Sequence, residues 1–350
     1  MEKVKIGFVG VGGMGQCAHL KNYVTLPDCE VVALAEIRPN LRQAVATKYG
    51  IPRTYADHTT MLEHEKLDAI VSAQPFWRHG ALIPELFQAG LPVMTEKPLA
   101  GSIEVGEKIV AAAQAANTWQ MLGYHKRSDP ATMYAKAEIT HLVQTHELGA
   151  LRYVRLLMPS GDWVVNGFID LVRSNEPYPD MRDDPKPSDM SEALYKEYFA
   201  FVNYYIHQVN LLRHLLGEPY QVTYADPSGV LLAVRSQNGI AGTIEMSPYT
   251  TTIDWQESAL VAFEHGYIKL ELPAPLASNR SGRVEIFRDP GKGETPQTIV
   301  PTLPWIHAMR QQAMNFVRAV KGEIPPMTTA PEALEDLKVA REYIRLLRGV

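Results

Sequence analysis

Cysteine is nearly absent from this chain, with only Cys17 and Cys29 among 350 residues. Two cysteines cannot build a disulfide framework, and no pair has the spacing of zinc ligands. Neither a stapled secreted scaffold nor a metal site is expected. Long hydrophobic runs are missing as well. None approaches the roughly 20 apolar residues of a membrane span. The apolar stretch near the start, within MEKVKIGFVGVGGMG, is interrupted by glycines and is unlike a signal peptide. Nor does one sign of charge dominate, since 34 basic residues stand against 39 acidic ones. So balanced a surface speaks against general affinity for nucleic acid or anionic membranes. Internal repeats and low-complexity tracts are also lacking. These absences predict a cytoplasmic protein and leave its chemistry open.

What is present is a normal globular share of hydrophobic residues, 46%, over a length that suits two domains. Through residue 125 the chain alternates short apolar runs with amphipathic stretches. Segments 4–10, 30–36, 67–73, 91–96 and 118–124 read as strands. They are almost continuously apolar, as when both faces of a parallel sheet are covered. Segments 14–23, 40–49, 57–64, 79–89 and 102–117 read as helices. This beat predicts an α/β doubly wound sheet with ligands at the strands' carboxyl ends.

The beat then changes. A helix over 131–146 and a strand over 151–158 precede a polar stretch, 159–190, in which five prolines exclude continuous regular structure. A loop of that length predicts a functional lid. Trp163 in it could stack on a ring, and Asn166 or Arg173 could bind hydroxyl or acidic groups. It carries seven acids against three bases (Arg173, Arg182, Lys186), which disfavours a highly anionic substrate. A long helix over 191–216 follows. Strands over 221–225, 229–236, 239–247, 257–264, 267–272 and 283–288 then predict an α+β domain with a largely antiparallel open sheet. Helices over 305–320 and 331–348 close the chain.

Gly10-Val11-Gly12-Gly13-Met14-Gly15 fits the dinucleotide fingerprint G-x-G-x-x-G, following a strand and opening a helix. The first glycine permits a tight turn and the second a close approach of backbone to pyrophosphate. The third permits close packing of helix on strand. Glu36, at the end of the second strand, can accept hydrogen bonds from an adenosine ribose. Its charge favours NAD over NADP, although Arg38 could pair with a 2′-phosphate. Further along, Glu96-Lys97-Pro98 closes the strand predicted over 91–96, on the ligand side of the sheet. An ammonium there can hold a hydroxyl or carbonyl oxygen while a hydride moves.

These features together resemble the Gfo/Idh/MocA oxidoreductases, the family of glucose-fructose oxidoreductase and inositol dehydrogenases. The likeness rests on the fingerprint, Glu36, SAQPFWRH at 72–79, EKPLA at 96–100, GYHKRSDP at 123–130 and the closing helices. It implies an NAD(P)-binding Rossmann domain over 1–125 and a substrate-binding and oligomerisation domain over 126–330. The helix 331–350 is expected to pack back toward the first domain. It further implies that Gln74, Pro75, His79, Glu96 and Lys97 surround the cofactor, and that Arg127 touches substrate. A homodimer or homotetramer is expected.

The family typically carries D-x-x-x-H-x-x-D on a helix of the second domain. Here the pattern is Asn203, His207 and Asn210, with both acids replaced by amides. The histidine remains as a base, Asn203 can orient substrate without titrating, and Lys97 carries more of the polar work. The leading expectation is an NAD(P)-dependent dehydrogenase of a secondary hydroxyl on a sugar or cyclitol, with Lys97 and His207 catalytic. A second is an NAD-retaining enzyme that cleaves glycosides by transient oxidation, elimination and re-reduction. A third is a non-catalytic dinucleotide sensor.

Overall fold

The computed structural model describes residues 2–181, 183–291 and 293–350, so Met1, Arg182 and Lys292 lie outside the described residues. Contacts divide the chain into two units. One is formed by 1–124, 166–199 and 312–337, the other by 125–165, 200–311 and 338–350. The uninterrupted ranges 1–125, 126–330 and 331–350 set out from sequence differ from this division. Segments 166–199 and 312–337 return to the first unit after long excursions, which no composition shift announces.

The first unit is built on six parallel strands: β1 (Val4–Val9), β2 (Cys29–Ala35), β3 (Arg53–Tyr55), β4 (Ala69–Ser72), β5 (Val93–Thr95) and β6 (Gln120–Leu122). Their spatial order is β3-β2-β1-β4-β5-β6, so the chain reverses direction of growth between β1 and β4. The crevice at that switch is where doubly wound sheets bind ligands. The strands are apolar throughout because the sheet is covered on both faces. Ile6, Phe8, Leu34, Ala69 and Val71 from the sheet pack with Leu20 and Tyr23 of the first helix and with Phe316 and Val317. Phe316 stands edge-on to Tyr23 at 6.3 Å and to Trp119 at 5.9 Å. Burying a side chain of this size stabilises the fold by about 1.5–3 kcal/mol. Residues 312–320 therefore belong to the first core by packing, however late they come in sequence.

The second unit holds an eight-stranded sheet. Its strands are β7 (Leu151–Ser160), β8 (Tyr220–Ala225), β9 (Leu231–Ser236), β10 (Ala241–Thr250), β11 (Glu257–Phe263), β12 (Gly266–Leu272), β13 (Arg283–Arg288) and β14 (Gln297–Ile299). They run in the order β14-β13-β12-β11-β7-β10-β9-β8, with β7 and β10 parallel and every other pair antiparallel. Burial alternates strictly along β11, the mark of a sheet with one covered face. Ala259, Val261 and Phe263 occupy the buried phase, and so does Glu257. The helices Pro130–Thr145 and Ile206–Leu216 cover that face.

Three local differences from the sequence reading have simple causes. The strands β3 and β14 are three residues long, too short for a period to register. The first helix winds as a π-helix over Gly15–Leu20. The helix expected over 191–216 is two, Glu192–Tyr204 and Ile206–Leu216, interrupted at Tyr205. Among the described residues no helix is long and apolar enough to cross a membrane, and no group of three or more His, Cys, Asp or Glu is placed to hold a metal ion.

Candidate active site

The glycine loop shows what each glycine is for. Gly10 has φ +86°, and a Cβ on it would stand 2.0 Å from Gln74 Nε2 and 2.8 Å from the Ala73 carbonyl oxygen. A Cβ on Gly15 would meet the Gly10 carbonyl oxygen at 2.5 Å. Both glycines are required by the protein's own packing. Gly12 differs, since a Cβ there would meet nothing within 4 Å. Its side-chain space is open, where the fingerprint places a pyrophosphate against the backbone. Met14 already has helical dihedrals, so the loop passes straight into the helix and directs that helix's amide groups at the loop.

Glu36 follows β2 and is buried, with its carboxylate fully engaged. Arg38 reaches it with two parallel bonds, Nε to Oε1 at 2.8 Å and Nη2 to Oε2 at 3.0 Å, and the Val11 N–H donates to Oε2 at 3.1 Å. Burial works to raise the Glu36 pKa, but the Arg38 fork and the two backbone N–H groups outweigh it and hold the carboxyl below its ordinary range. The acid is therefore ionised at neutral pH and fixed at the carboxyl end of β2. The arginine that could welcome a 2′-phosphate is committed to this carboxylate.

At the carboxyl ends of β4 and β5 the site residues expected from sequence come together. His79 is fully buried, with Nδ1 3.0 Å from the Leu99 carbonyl oxygen and Nε2 3.3 Å from that of Gln74. Burial lowers its pKa despite those carbonyls, so the ring is neutral and donates to one of them at a time. His79 thus ties the Gln74-Pro75 loop to the Lys97-Pro98-Leu99 loop. Glu96 carries a contact that sequence reasoning missed: His19 Nε2 lies 2.6 Å from Glu96 Oε1. The Lys97 N–H donates to the other carboxylate oxygen at 3.2 Å. Burial raises the Glu96 pKa, while the His19 bond and charge and the neighbouring Lys97 more than compensate, leaving the carboxyl ionised. Lys97 therefore projects from a backbone pinned by an anion. The signal for His19 was its place one turn after Gly15, where a helix facing the sheet turns its residues toward the strand ends.

In the second unit, His125, Lys126, Arg127, Ser128 and Asp129 form a short 3-10 turn and continuation in which all five side chains are buried. The His125 ring meets the His207 ring edge-on at 4.6 Å. Arg127 Nε donates to Asn210 Oδ1 at 2.7 Å, so one of the two amides replacing the family's acids serves as acceptor for an arginine. Lys126 pairs with Glu257, which also accepts from Gln208 Nε2 at 2.8 Å and Trp255 Nε1 at 3.1 Å. Asp129 Oδ1 accepts from the Gly282 and Ala131 N–H groups at 2.9 and 2.8 Å. Burial nevertheless raises its pKa to about 6. His214, partly buried, is held well below its ordinary pKa by burial and by the charges of Arg127, Lys136 and Arg213, which keeps it neutral.

Three expected substrate residues are placed less tightly. Asn203 is exposed near the end of the first of the two helices, and the interruption at Tyr205 separates it from the helix carrying His207 and Asn210. Trp163 is half-buried in the second unit, its carbonyl accepting from the Leu276 N–H at 3.2 Å. Arg173 is exposed and belongs to the first unit. The lid is thus shared between units, and the part from 166 onward lies on the Rossmann sheet's own loops.

Residues 4–124 match the family described as oxidoreductase family, NAD-binding Rossmann fold, the Gfo/Idh/MocA group. The chain is 25% identical over 261 residues to the scyllo-inositol 2-dehydrogenase (NAD(+)) of Bacillus subtilis (strain 168), spanning 70% of this chain and 68% of that protein. It is 24% identical to the inositol 2-dehydrogenase 2 of Paenarthrobacter aurescens (strain TC1), over 99% of this chain and 96% of the relative. A levoglucosan dehydrogenase solved with NADH and levoglucosan has the same fold, with a TM-score of 0.74 at 17% identity, covering 99% of this chain and 98% of the other. Residues 4–124 thus form an NAD-binding Rossmann domain of the Gfo/Idh/MocA type, in a chain that is similar over most of its length to named dehydrogenases.

Proposed function

We propose that this protein is an oxidoreductase of the Gfo/Idh/MocA type and that it oxidises a secondary hydroxyl of a sugar or cyclitol. Supporting this reading are the names of the relatives, which act on inositols, and the near-neutral charge of the chain, which suits an uncharged polyol. The single observation that carries it is the pinning of Lys97. Glu96 is ionised beside it, held by His19 and by the Lys97 N–H, at the carboxyl end of β5.

The residues fit the cofactor. Gly12 leaves the space a pyrophosphate needs, the helix after it presents N–H groups, and Glu36 offers an ionised acceptor for the ribose. When bound, NAD supplies the hydride acceptor, at C4 of its nicotinamide. The Lys97 ammonium donates a hydrogen bond to the substrate oxygen and stabilises the negative charge that develops on it as the hydroxyl proton leaves, before hydride departs from the carbon and the carbonyl forms. His207 takes the hydroxyl proton, and Asn203, Arg127, Trp163 and Arg173 orient hydroxyl groups. Neither amide at 203 or 210 can take a proton, so the base is the histidine alone.

Incubating the protein with NAD and a panel of hexoses, inositols and anhydrosugars should give NADH absorbance with at least one of them. NAD binding without turnover of any member overturns the reading. One observation favours a second reading, the cofactor-retaining cleavage of glycosides. Segment 166–184 is bonded along the loops of the dinucleotide cradle. NAD carried through purification, with glycoside cleavage and no net NADH, would select it.

A further inference from the structure

From residue 166 the chain leaves the second unit and runs along three loops of the first, at the ends of β1, β2 and β4. At the glycine loop the Phe168 ring comes within 3.6 Å of where a Gly13 Cβ would stand, and Leu171 within 4.0 Å. The buried Gln16 amide grips Val172 at both backbone atoms, accepting from its N–H and donating to its carbonyl, each at 3.0 Å. At the β2 end, Glu176 accepts from the Asn40 and Leu41 N–H groups, both at 2.9 Å, capping the helix Pro39–Tyr49. Those N–H groups and the charge of Arg38 hold its carboxyl below the usual range against the effect of desolvation. The Tyr178 ring then lies 5.1 Å from the Arg38 guanidinium and 5.3 Å from that of Arg78. At the β4 end, Arg78 Nε donates to Asp183 at 2.9 Å, while Asp184 donates its N–H to the Trp77 carbonyl at 2.7 Å and accepts from the Gly80 N–H at 2.8 Å.

Each contact falls on a loop that the fold assigns to a different part of the cofactor: pyrophosphate at the glycine loop, ribose at Glu36 and Arg38, and the loop beyond β4 alongside. The space at Gly12 stays open although its neighbour Gly13 is covered. We infer that residues 166–181 are a strap that forms the outer wall of the dinucleotide site, and that it must lift from Glu176 and Tyr178 for the adenosine half to enter or leave. Its ligand is a nicotinamide adenine dinucleotide, enclosed between the glycine loop and Phe168 on one side and beside Tyr178 on the other. The anchors suit that task. Five of these are hydrogen bonds between a side chain and a backbone group, two at Gln16, two at Glu176 and one at Asp184, and such bonds open individually at low cost. Arg38 and Arg78 both lie against the Tyr178 ring, so lifting the strap removes one cation–π contact from each.

The inference rests on the dinucleotide-binding reading of the first unit and on no particular substrate. Stopped-flow fluorescence with NADH as probe tests it, on the intact protein and on the Glu176→Gln and Tyr178→Ala variants, with thermal melting as a check on folding. Glutamine keeps one acceptor for the Asn40 and Leu41 amides and turns a donor against the other, so the strap loses its central anchor. A lifting wall slows entry and exit alike. Both the association and the dissociation rate of NADH should therefore rise about tenfold in each variant, with a smaller change in affinity. Unchanged rates overturn the strap. So does a rise in the dissociation rate alone, which would make Glu176 and Tyr178 ordinary contacts. Absence of any NADH binding to the parent protein is a different failure, that of the dinucleotide reading itself.

Discussion

Between Gly10 and Gly15 the chain presents backbone and, at Gly12, open space, while between His125 and Asp129 it buries five polar side chains in succession. The two regions solve the same problem, holding polar groups out of water, by opposite means. The loop buries few polar side chains and leaves the space at Gly12 open. The buried run needs a partner for each side chain: Glu257 for Lys126, Asn210 for Arg127, and backbone amides for Asp129. A site made of backbone tolerates no Cβ, whereas a site made of buried charge tolerates no loss of a partner. The first should fail in ligand affinity and the second in stability, and substitutions in each can test that division.

The largest effect expected falls where the first unit does use a side chain. Lys97→Met should cut the turnover rate by about 10²–10⁴, the range for losing a positioned group in proton and charge transfer, while NADH affinity stays close to that of the parent. A comparable loss of affinity would mean that Lys97 serves binding and that the first unit holds no chemistry. Next is Lys126→Met, which strands the Glu257 charge at 3% side-chain exposure. Breaking a buried pair from one side costs about 3–5 kcal/mol, readable from urea unfolding. Combining it with Glu257→Gln should restore most of that loss, because Gln208 and Trp255 can rearrange around a neutral amide. If the single variant is as stable as the parent, the contrast between the regions collapses.

Asp129 sharpens the comparison through pH. Its carboxyl is raised by burial to about 6 in the folded chain, from an ordinary value of 3.8. Between those values the folded protein keeps a proton that the unfolded chain has lost, so stability falls as pH rises through that window and levels off above it. The difference in proton affinity corresponds to about 3 kcal/mol. Lys126 and Glu257 are the charged groups that act on this carboxyl. In an Asp129→Asn variant that slope should disappear, so the parent should gain on the variant as pH drops from 7 to 4. Parallel stability curves would show that Asp129 does not titrate there.

How much of this was legible beforehand follows from the same contrast. The glycine loop, Glu36 and Lys97 could be read because strand, turn and helix lie within one short segment, and the spacing itself reports the geometry. The doubly wound parallel sheet and the largely antiparallel second sheet followed from periodicity and were found as expected. His19 on Glu96, Gln16 on Val172 and Glu176 on the helix at Pro39 could not be read, since each joins residues 77 to 156 positions apart. The lid at 159–190 was visible as a surplus of proline and acid. Its destination was not, because polar loops carry no period that names the surface they will cover. Segment 312–320 showed a helix's pattern, but only packing on Tyr23 and Trp119 assigns it to the first core.

The smallest effect is the cleanest separation of ligand from fold. Gly10→Ala places a Cβ at φ +86° against Gln74 and the Ala73 carbonyl, so it should lower the melting temperature as well as affinity. Gly12→Ala meets nothing of the protein within 4 Å, and a methyl group there takes up only the space through which a pyrophosphate would approach. The melting temperature without cofactor should therefore hold or rise slightly, since alanine loses less backbone freedom on folding than glycine. NADH affinity should fall about tenfold, or about 1.4 kcal/mol, and the thermal stabilisation by saturating NADH should shrink with it. Equal affinity in the two proteins would place the pyrophosphate elsewhere and leave Gly12 a position of no consequence. Lost stability without cofactor would show that the open space is filled by the chain itself, most directly by movement of Phe168 from Gly13 onto Gly12.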